Sequence, residues 1–159
     1  MLSVTVVCIG KLKESYWKDA CEEYRKRLGA FCKFQILELP ESRLPERPSD
    51  AQIAAALEAE AAGILEASHG AFRIPLCIEG KELSSPELAG VLERAALEGR
   101  SALCFLIGSS FGLSDTVKQA GEVRLSMSRM TFPHQLARVV LCEQIYRAFQ
   151  ILNHGKYHK

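Results

Sequence analysis

The chain has 159 residues, of which 48% are hydrophobic and 25% are charged, and its formal net charge is +1. These values are typical of an ordinary globular protein, and no apolar run approaches the roughly 20 residues that a membrane-spanning helix requires. They argue against a membrane protein, and the length predicts one domain over residues 1–159.

In the first half of the chain, short β-branched runs alternate with segments of helical periodicity. The opening apolar run has no basic segment before it, so it predicts a strand and not a signal peptide. The pattern predicts a strand over 3–10, a helix over 14–28, a strand over 34–39, a proline-rich mobile loop over 40–50, and a helix capped by Ser49 or Asp50 that runs to about residue 67.

The second half continues the alternation and ends in a long helix. It predicts a strand over 73–80, a helix capped by Ser84 or Ser85, a strand over 102–108, a short helix capped by Ser114, a strand over 122–128, a last helix opened by residues 131–133, and a free tail from 153. Such an order predicts an α/β fold: a mostly parallel sheet of about five strands with helices on both faces. Ligands of such sheets bind at the carboxyl ends of the strands.

Basic residues concentrate at the end of an otherwise acidic chain. Residues 124–159 hold six basic residues and one acidic residue, a net charge of +5, whereas residues 1–123 hold 14 basic and 18 acidic residues, a net charge of −4. His134, His154 and His158 also lie in this final part. A basic end on an acidic body indicates an anionic partner, although ordinary surface variation explains the charge equally well.

The six cysteines indicate thiols rather than disulfides. None has C-x-x-C spacing, and four lie inside apolar runs, where a thiol usually behaves as a small buried hydrophobe: Cys8, Cys77, Cys104 and Cys142. A disulfide framework is the alternative, but nothing marks the chain as secreted. We therefore expect reduced thiols and a cytoplasmic location.

Two loops after predicted strands have the composition of a ligand site. The first, IGSSFGLS (107–114), places two glycines after a buried strand, which permits close approach of a ligand but is also a common structural turn. In the second, LSMSRMTFPHQLAR (125–138), hydroxyl and apolar side chains alternate, which suits a heterocycle with an alkyl sulfonium chain. A strand end followed by a helix cap explains the same residues.

The last predicted helix combines a few polar groups with a largely apolar surface. His134 and Arg138 are four residues apart near its N-terminus, where anions are favoured. Glu143, Arg147 and Gln150 fall on a roughly opposite face, and the remaining residues are mostly apolar. Such a helix must be buried, either in the core or at a subunit interface, and the pattern favours neither over the other.

The chain ends in Tyr157, His158 and Lys159. An aromatic ring, an imidazole and a cation suit stacking on a base and contact with phosphate, although chain termini are usually disordered. The histidines have no H-x-x-x-H spacing and no neighbouring cysteine pair, so no metal site is expected.

Three segments together resemble one family: IGSSFGLS, LSMSRMTFPHQLARVVLCEQIYRAFQI and the terminal YHK. The likeness extends over the whole chain, from the opening VTVVCIGKLKESYWK onward. The family is the RlmH type of SPOUT-class methyltransferase, which modifies N3 of a pseudouridine in 23S ribosomal RNA. The resemblance implies S-adenosylmethionine (S-adenosyl-L-methionine) as the methyl donor.

The resemblance also implies a C-terminal trefoil knot, which periodicity does not show and which is rare among folds. It places the cofactor in the knot, against the backbone of eight residues: Leu76, Gly108, Met127, Ser128, Arg129, Met130, Thr131 and Phe132. Ser109 stands where the family usually has a second glycine, which adds a Cβ beside the predicted cofactor site.

The resemblance further implies a homodimer whose last helices pack across a two-fold axis. The RNA site then combines the cofactor pocket of one subunit with the tail of its partner. The implied substrate is 23S rRNA in the 70S ribosome or the large subunit, with no membrane involved. A small chain with a modest basic patch is likewise expected to recognise RNA by shape and by unstacked bases.

Methylation of a uracil-type N3 requires the loss of its proton. Three residues are candidate bases: His158, His134 and Glu143. His158 is preferred because it titrates near neutrality and lies on a tail that reaches a partner. Tyr157 is predicted to stack on the base, and Arg138 and Arg147 to hold phosphate or carboxylate.

Three other functions stay open at this point. The first is methylation of a different RNA, such as tRNA, with the same cofactor. The second is a non-catalytic RNA-binding or ribosome-binding module, which would not bind the cofactor. The third is a flavodoxin-type nucleotide-binding protein, which requires a phosphate loop that the sequence lacks.

Overall fold

The computed structural model describes residues 1–159 and contains five strands and five helices. The strands are β1 (Ser3–Ile9), β2 (Lys33–Leu39), β3 (Phe72–Glu82), β4 (Ala102–Ile107) and β5 (Leu125–Ser126). The helices are α1 (Ser15–Leu28), α2 (Asp50–Ala67), α3 (Ser85–Leu97), α4 (Asp115–Gln119) and α5 (His134–Leu152). The strands form one sheet in the order β2-β1-β4-β3-β5, and every pairing is parallel. The predicted α/β fold is therefore confirmed.

Serine side chains begin three of the helices. The hydroxyls of Ser49, Ser84 and Ser114 each accept a hydrogen bond from the backbone N–H three residues later. In α2 and α3 the side chain at that third position, Gln52 or Glu87, accepts a hydrogen bond from the cap backbone in return. These reciprocal caps satisfy amides that the first turn of a helix leaves free. They confirm the predicted starts of all three helices.

Alternate residues of the central strands point to opposite faces of the sheet. On one face Val4, Phe105 and Ile107 pack with apolar residues of α1, α3 and α5. On the other face Val7 and Leu106 pack with apolar residues of α2 and α4. Helices thus cover both faces, as predicted, and the two-residue period of a strand divides its side chains between two cores.

The predicted strand over 122–128 is wrong in extent, because only Leu125 and Ser126 pair with β3. Before them, the N–H of Glu122 donates to the Arg73 carbonyl at 2.9 Å. After them, the Ser126 hydroxyl donates to the Ser128 carbonyl at 3.1 Å. The local bond from Ser126 competes with the strand ladder, and the bond from Glu122 replaces a regular ladder pairing before β5.

The chain crosses from one face of the sheet to the other around β5. Helix α4 packs on one face, β5 forms the edge of the sheet, and α5 packs on the opposite face with α1 and α3. This crossing occupies the segment where the resemblance places the trefoil knot. The knot itself stays a prediction.

The prediction of a free C-terminal tail is wrong. Helix α5 ends in a Schellman motif: the His154 N–H donates to the Ile151 carbonyl and the Gly155 N–H donates to the Gln150 carbonyl. His154 has the left-handed φ of 57° that this ending requires. The motif reverses the chain, so the last residues run back along α5.

All six cysteines are free, and five of them are buried. Cys77, which the sequence predicted to be buried, is only half-buried, and it lies in the irregular stretch of β3 between the two places where β3 pairs with β5. Burial raises the pKa of the Cys8 thiol to about 12.

None of the helices combines the length and the apolar character needed to cross a bilayer.

Candidate active site

The three segments predicted to hold the cofactor lie at one edge of the sheet. Strand β3 lies between β4 and β5: Leu76 lies within β3, just past its pairing with β4, whereas Gly108 and the 127–132 loop follow β4 and β5. Leu76 pairs directly with Leu125, two residues before that loop. The structure therefore brings these segments together at the carboxyl ends of parallel strands, where α/β sheets bind ligands.

Gly108 is required by a tight turn after β4. The Gly112 N–H donates to the Ser109 carbonyl at 2.8 Å, and Gly112 has a positive φ of 86°. A Cβ on Gly108 would overlap the Gly112 carbonyl. Ser109, in contrast, is buried without conflict, and its hydroxyl accepts a hydrogen bond from the Phe111 N–H at 3.4 Å. The Cβ at residue 109 is therefore accommodated within the turn.

The loop over 127–132 is organised by its own hydroxyl groups. The Ser128 hydroxyl accepts from the Met130 N–H at 3.0 Å, in addition to the bond between Ser126 and the Ser128 carbonyl. Met127 packs against the core, whereas Met130 is 73% exposed. Because the serine side chains are used within the loop, main-chain groups and apolar side chains remain to contact a ligand.

Arg138 lies in the core and not on an RNA-facing surface. Its guanidinium donates to the Glu38 carboxylate at 2.6 Å and to the Gly10 carbonyl at 3.2 Å, and the residue is 4% exposed. It therefore ties the first turns of α5 to the ends of β1 and β2. The carboxylate that it holds belongs to the protein itself, and a contact with phosphate stays a prediction.

His134 precedes Arg138 by one turn at the start of α5. Burial and the nearby Arg138 charge lower its pKa, so the ring is neutral at pH 7. Its Nδ1 atom is buried without a hydrogen-bond partner, as is the Nε atom of Arg138. The half-buried His134 and the buried Arg138 both lie in the first turns of α5, beside the predicted cofactor loop and apart from the tail.

The returning tail builds a polar cluster with Glu143 and Arg147 of α5. The Arg147 guanidinium donates to Glu143 Oε1 through Nε at 3.0 Å and Nη2 at 2.6 Å. The Tyr157 hydroxyl donates to the same oxygen at 3.1 Å, and Arg147 Nη1 lies 3.2 Å from His158 Nδ1. Burial and the Glu143 contact raise the pKa of Tyr157, so its phenol remains protonated. We call these four residues the tail cluster.

Two residues that contact the tail cluster or Arg138 were not identified from the sequence. Tyr146 supports the tail, because its ring meets the Tyr157 ring edge-to-face with centroids 4.9 Å apart. Glu38 is the partner of Arg138, and a signal for it exists: it follows Phe34 and Ile36 at alternate positions of β2. An acidic residue at a core-facing position indicates a buried basic partner.

The tail cluster lies far from the predicted cofactor loops of its own chain. Arg147 follows His134 by 13 positions, which corresponds to about 20 Å along a helix. Tyr146 also contacts Phe31, whose ring centroid is 6.1 Å away and which comes just before β2 begins. The tail is therefore docked toward the amino-terminal end of the sheet, opposite to the carboxyl edge.

Two other features do not add to the site. A groove of about 360 Å³ between residues such as Leu2, Phe31 and Phe149 is apolar and lies near the starts of the strands. No group of three or more histidine, cysteine or acidic side chains is arranged to hold a metal ion.

The chain matches known methyltransferases over its length. The family described as "Predicted SPOUT methyltransferase" matches residues 2–158. The protein is 45% identical over 159 residues to the Ribosomal RNA large subunit methyltransferase H of Clostridioides difficile (strain 630), a match that covers 99% of this chain and 100% of the relative. A relative of the same name from Bifidobacterium animalis subsp. lactis (strain AD011) is 46% identical, with the same coverage.

Solved structures agree on the fold. A probable methyltransferase from Bordetella pertussis Tohama I superposes with a TM-score of 0.60 at 13% identity, covering 92% of this chain and 95% of that chain. The parallel sheet and these matches define the class of the protein as a SPOUT methyltransferase. Within that class the chain belongs to the RlmH family, because relatives of that kind match it from end to end.

Proposed function

We propose that this protein methylates N3 of a pseudouridine in 23S ribosomal RNA, on the assembled 70S ribosome or large subunit. The relatives that match the whole chain are named as methyltransferases of large-subunit ribosomal RNA. S-adenosylmethionine is the methyl donor, held by the backbone at Leu76, at Gly108 and along residues 127–132. The reaction takes place in the cytoplasm, where ribosomes are found.

The main support for the proposal is the distance between the two parts of the site, which are the predicted cofactor loops and the tail cluster. The groups suited to act on a base, in the tail cluster, lie about 20 Å along α5 from the cofactor loops of the same chain. A complete site therefore requires the tail of a second copy. A homodimer through α5 meets this need, and the exposed parts of Leu136, Val139 and Val140 supply an apolar surface for it.

The charge of the C-terminal region suits an RNA partner. Arg124, Arg129 and Lys159 are exposed, and residues 124–159 carry a net charge of +5. The exposed basic residues contribute nonspecific attraction to phosphate but little sequence recognition. Shape and an accessible base on the ribosome supply the remaining specificity.

The chemistry requires mainly alignment. The sulfonium methyl group is an electrophile without further activation, so the enzyme must hold the ring nitrogen in line with the S–CH₃ bond. The tail cluster of the partner supplies Tyr157 to stack on the ring. His158, Glu143 and Arg147 surround the position where the N3 proton leaves.

A complementation experiment tests the composite site. Mixed dimers combine Gly108→Ala, which disrupts the cofactor turn, with His158→Ala, which disrupts the tail. If each site uses a partner's tail, the mixed dimer contains one intact site, and its activity on 70S ribosomes reaches about half that of the wild type. Sites completed within one chain leave the mixed dimer as inactive as its parents.

Two further measurements separate this function from its rivals. Mass spectrometry of 23S rRNA and tRNA from a deletion strain carrying this chain identifies the methylated nucleotide, and methylation of tRNA alone contradicts the proposal. Calorimetry with S-adenosylmethionine excludes a non-catalytic module if heat of binding is observed. Ribosomes are expected to be methylated much faster than naked 23S rRNA.

A further inference from the structure

The contact between Arg147 and His158 determines where the imidazole carries its proton. Arg147 Nη1 lies 3.2 Å from His158 Nδ1. A guanidinium has only N–H donors and stays protonated, so Nδ1 must accept with its lone pair. The proton of the neutral ring is then on Nε2. In this arrangement His158 presents a donor, and not a lone pair, on its far side.

Glu143 is equally unsuited to remove a proton. Its Oε1 atom accepts hydrogen bonds from Arg147 and Tyr157, and its Oε2 atom accepts one from the Gln144 amide at 2.8 Å. Three donors occupy Oε1 and a fourth occupies Oε2, so most lone pairs that could receive a proton are already engaged. Neither of these two residues of the tail cluster therefore accepts the N3 proton in this geometry.

We propose that His158 acts as a hydrogen-bond donor through Nε2–H to a ring carbonyl of the target uracil, and that Arg147 is the positioning residue that fixes this tautomer. The proposal rests on the proposed function, since it concerns the same methyl transfer in the partner's pocket. The N3–H proton passes to water, which leaves the uracil ring as an anion. N3 then forms a bond to the methyl carbon, while the S–CH₃ bond breaks and its electron pair stays on sulfur.

The physical advantage is that charge is stabilised where it develops. The two carbonyls that flank N3 share the negative charge of the uracil anion. A fixed donor aimed at one of them, backed by the positive charge of Arg147, lowers the free energy of that anion. Two hydrogen bonds from Arg147 to Glu143 Oε1 hold the guanidinium in place, so little reorganisation is needed. Solvent then suffices to take the proton.

Nitrogen-15 NMR on the free dimer tests the tautomer without any RNA. The histidine rings are labelled, and the His158 signals are assigned by comparison with His158→Gln. We expect a protonated Nε2 and an unprotonated Nδ1 at about pH 8, and a mixture of the two neutral forms in Arg147→Lys, which lacks the planar fork. A His158 ring with its proton on Nδ1 in the wild-type protein overturns the proposal.

Kinetics on 70S ribosomes test the role in catalysis. His158→Ala is expected to lower kcat about 100-fold, the usual loss for one such donor. His158→Gln, which donates but cannot act as a base, is expected to be about tenfold faster than His158→Ala. The wild-type rate should keep rising with pH above about 7.5, whereas a histidine base predicts a plateau there. Equal rates for the Gln and Ala variants, or such a plateau, overturn the proposal.

Control experiments distinguish a failure of the role proposed for His158 from a failure of the proposed function. His69→Gln, an exposed histidine after α2, controls for the loss of an imidazole. Urea unfolding of each variant checks that the fold is intact. If the wild-type protein does not methylate ribosomes, the proposed function fails, while the NMR experiment still decides the tautomer.

Discussion

Helix α5 carries two arginine–glutamate pairs with the same closest distance and different surroundings. Arg138 with Glu38 and Arg147 with Glu143 both have 2.6 Å between nitrogen and oxygen. The Arg138 side chain is 5% exposed and joins α5 to two strands, whereas that of Arg147 is 25% exposed and holds the returning tail. The same chemical pair thus serves the scaffold at one end of the helix and the proposed RNA site farther along.

The groups that each pair joins, and not its residue types, decide its role in the protein. Burial raises the pKa of Glu38, but the hydrogen bonds from Arg138 and the Leu12 N–H outweigh it, and the net pKa is lowered. The carboxylate is therefore ionised, and after loss of Arg138 it keeps only the Leu12 N–H and the water that reaches its 33% exposed side chain. Glu143 is less exposed, at 17%, but it keeps donors from Tyr157 and Gln144 when Arg147 is lost.

Replacement of Arg138 and of Arg147 should give the largest difference between the two pairs, in the free energy of unfolding. Arg138→Met is expected to lower the free energy of unfolding by about 2 kcal/mol, because Glu38 and the Gly10 carbonyl lose charge-assisted hydrogen bonds. Arg147→Met is the matched variant and should lower it by about 1 kcal/mol, because Glu143 keeps the hydrogen bonds from Tyr157 and Gln144. Urea unfolding measures both. Similar losses for the two variants would contradict the distinction between the pairs.

Gly108→Ala tests the carboxyl edge, where α5 begins. The new Cβ would overlap the Gly112 carbonyl, so the turn after β4 must open. Affinity for S-adenosylmethionine, measured by calorimetry, should fall about tenfold or more, because the main-chain donors of the turn move. Gly90→Ala is the control: a Cβ there meets no atom within 4 Å, and alanine favours the helix. Unchanged affinity in Gly108→Ala would remove this turn from the cofactor site.

The strands and capped helices were predictable because each has a local cause. The serine caps at Ser49, Ser84 and Ser114 and the apolar runs of β1 and β4 depend only on neighbouring residues. The strand at 122–128 was predicted too long, because the bond from Glu122 to the Arg73 carbonyl joins residues far apart in sequence. Contacts of this kind have no periodic signal.

The candidate site was predictable in its residues more than in its arrangement. The residues of the tail cluster were all named from the sequence, but the Schellman motif at His154 that returns them to α5 was not foreseen, since a non-glycine residue there rarely signals it. Arg138 was predicted from its residue type to hold phosphate or carboxylate. Its pairing with Glu38, 100 positions away, depends on the sheet order.

Tyr157→Phe should have a smaller effect that is confined to the tail cluster. The variant loses the hydrogen bond to Glu143 but keeps the ring that packs on Tyr146. Such a bond contributes about 1 kcal/mol, so turnover on ribosomes should fall about fivefold, with cofactor affinity unchanged. Tyr16→Phe removes an exposed hydroxyl and serves as the control. A loss of cofactor affinity in Tyr157→Phe would contradict the separation of the two halves of the site within one chain.

The smallest expected effect is the pH dependence that His134 adds at the buried end of α5. Burial and Arg138 lower its pKa in the folded protein, so the unfolded state binds more protons below its ordinary pKa of about 6.5. Its contribution to stability is therefore constant above that pH and lost as the pH falls below it. Between about pH 7.5 and pH 5.5, His134→Gln should lose less stability than the wild type in urea unfolding, with His69→Gln as the surface control. An equal loss in His134→Gln and the wild type would mean that this ring is solvated, and that the start of α5 is as open to water as the tail cluster.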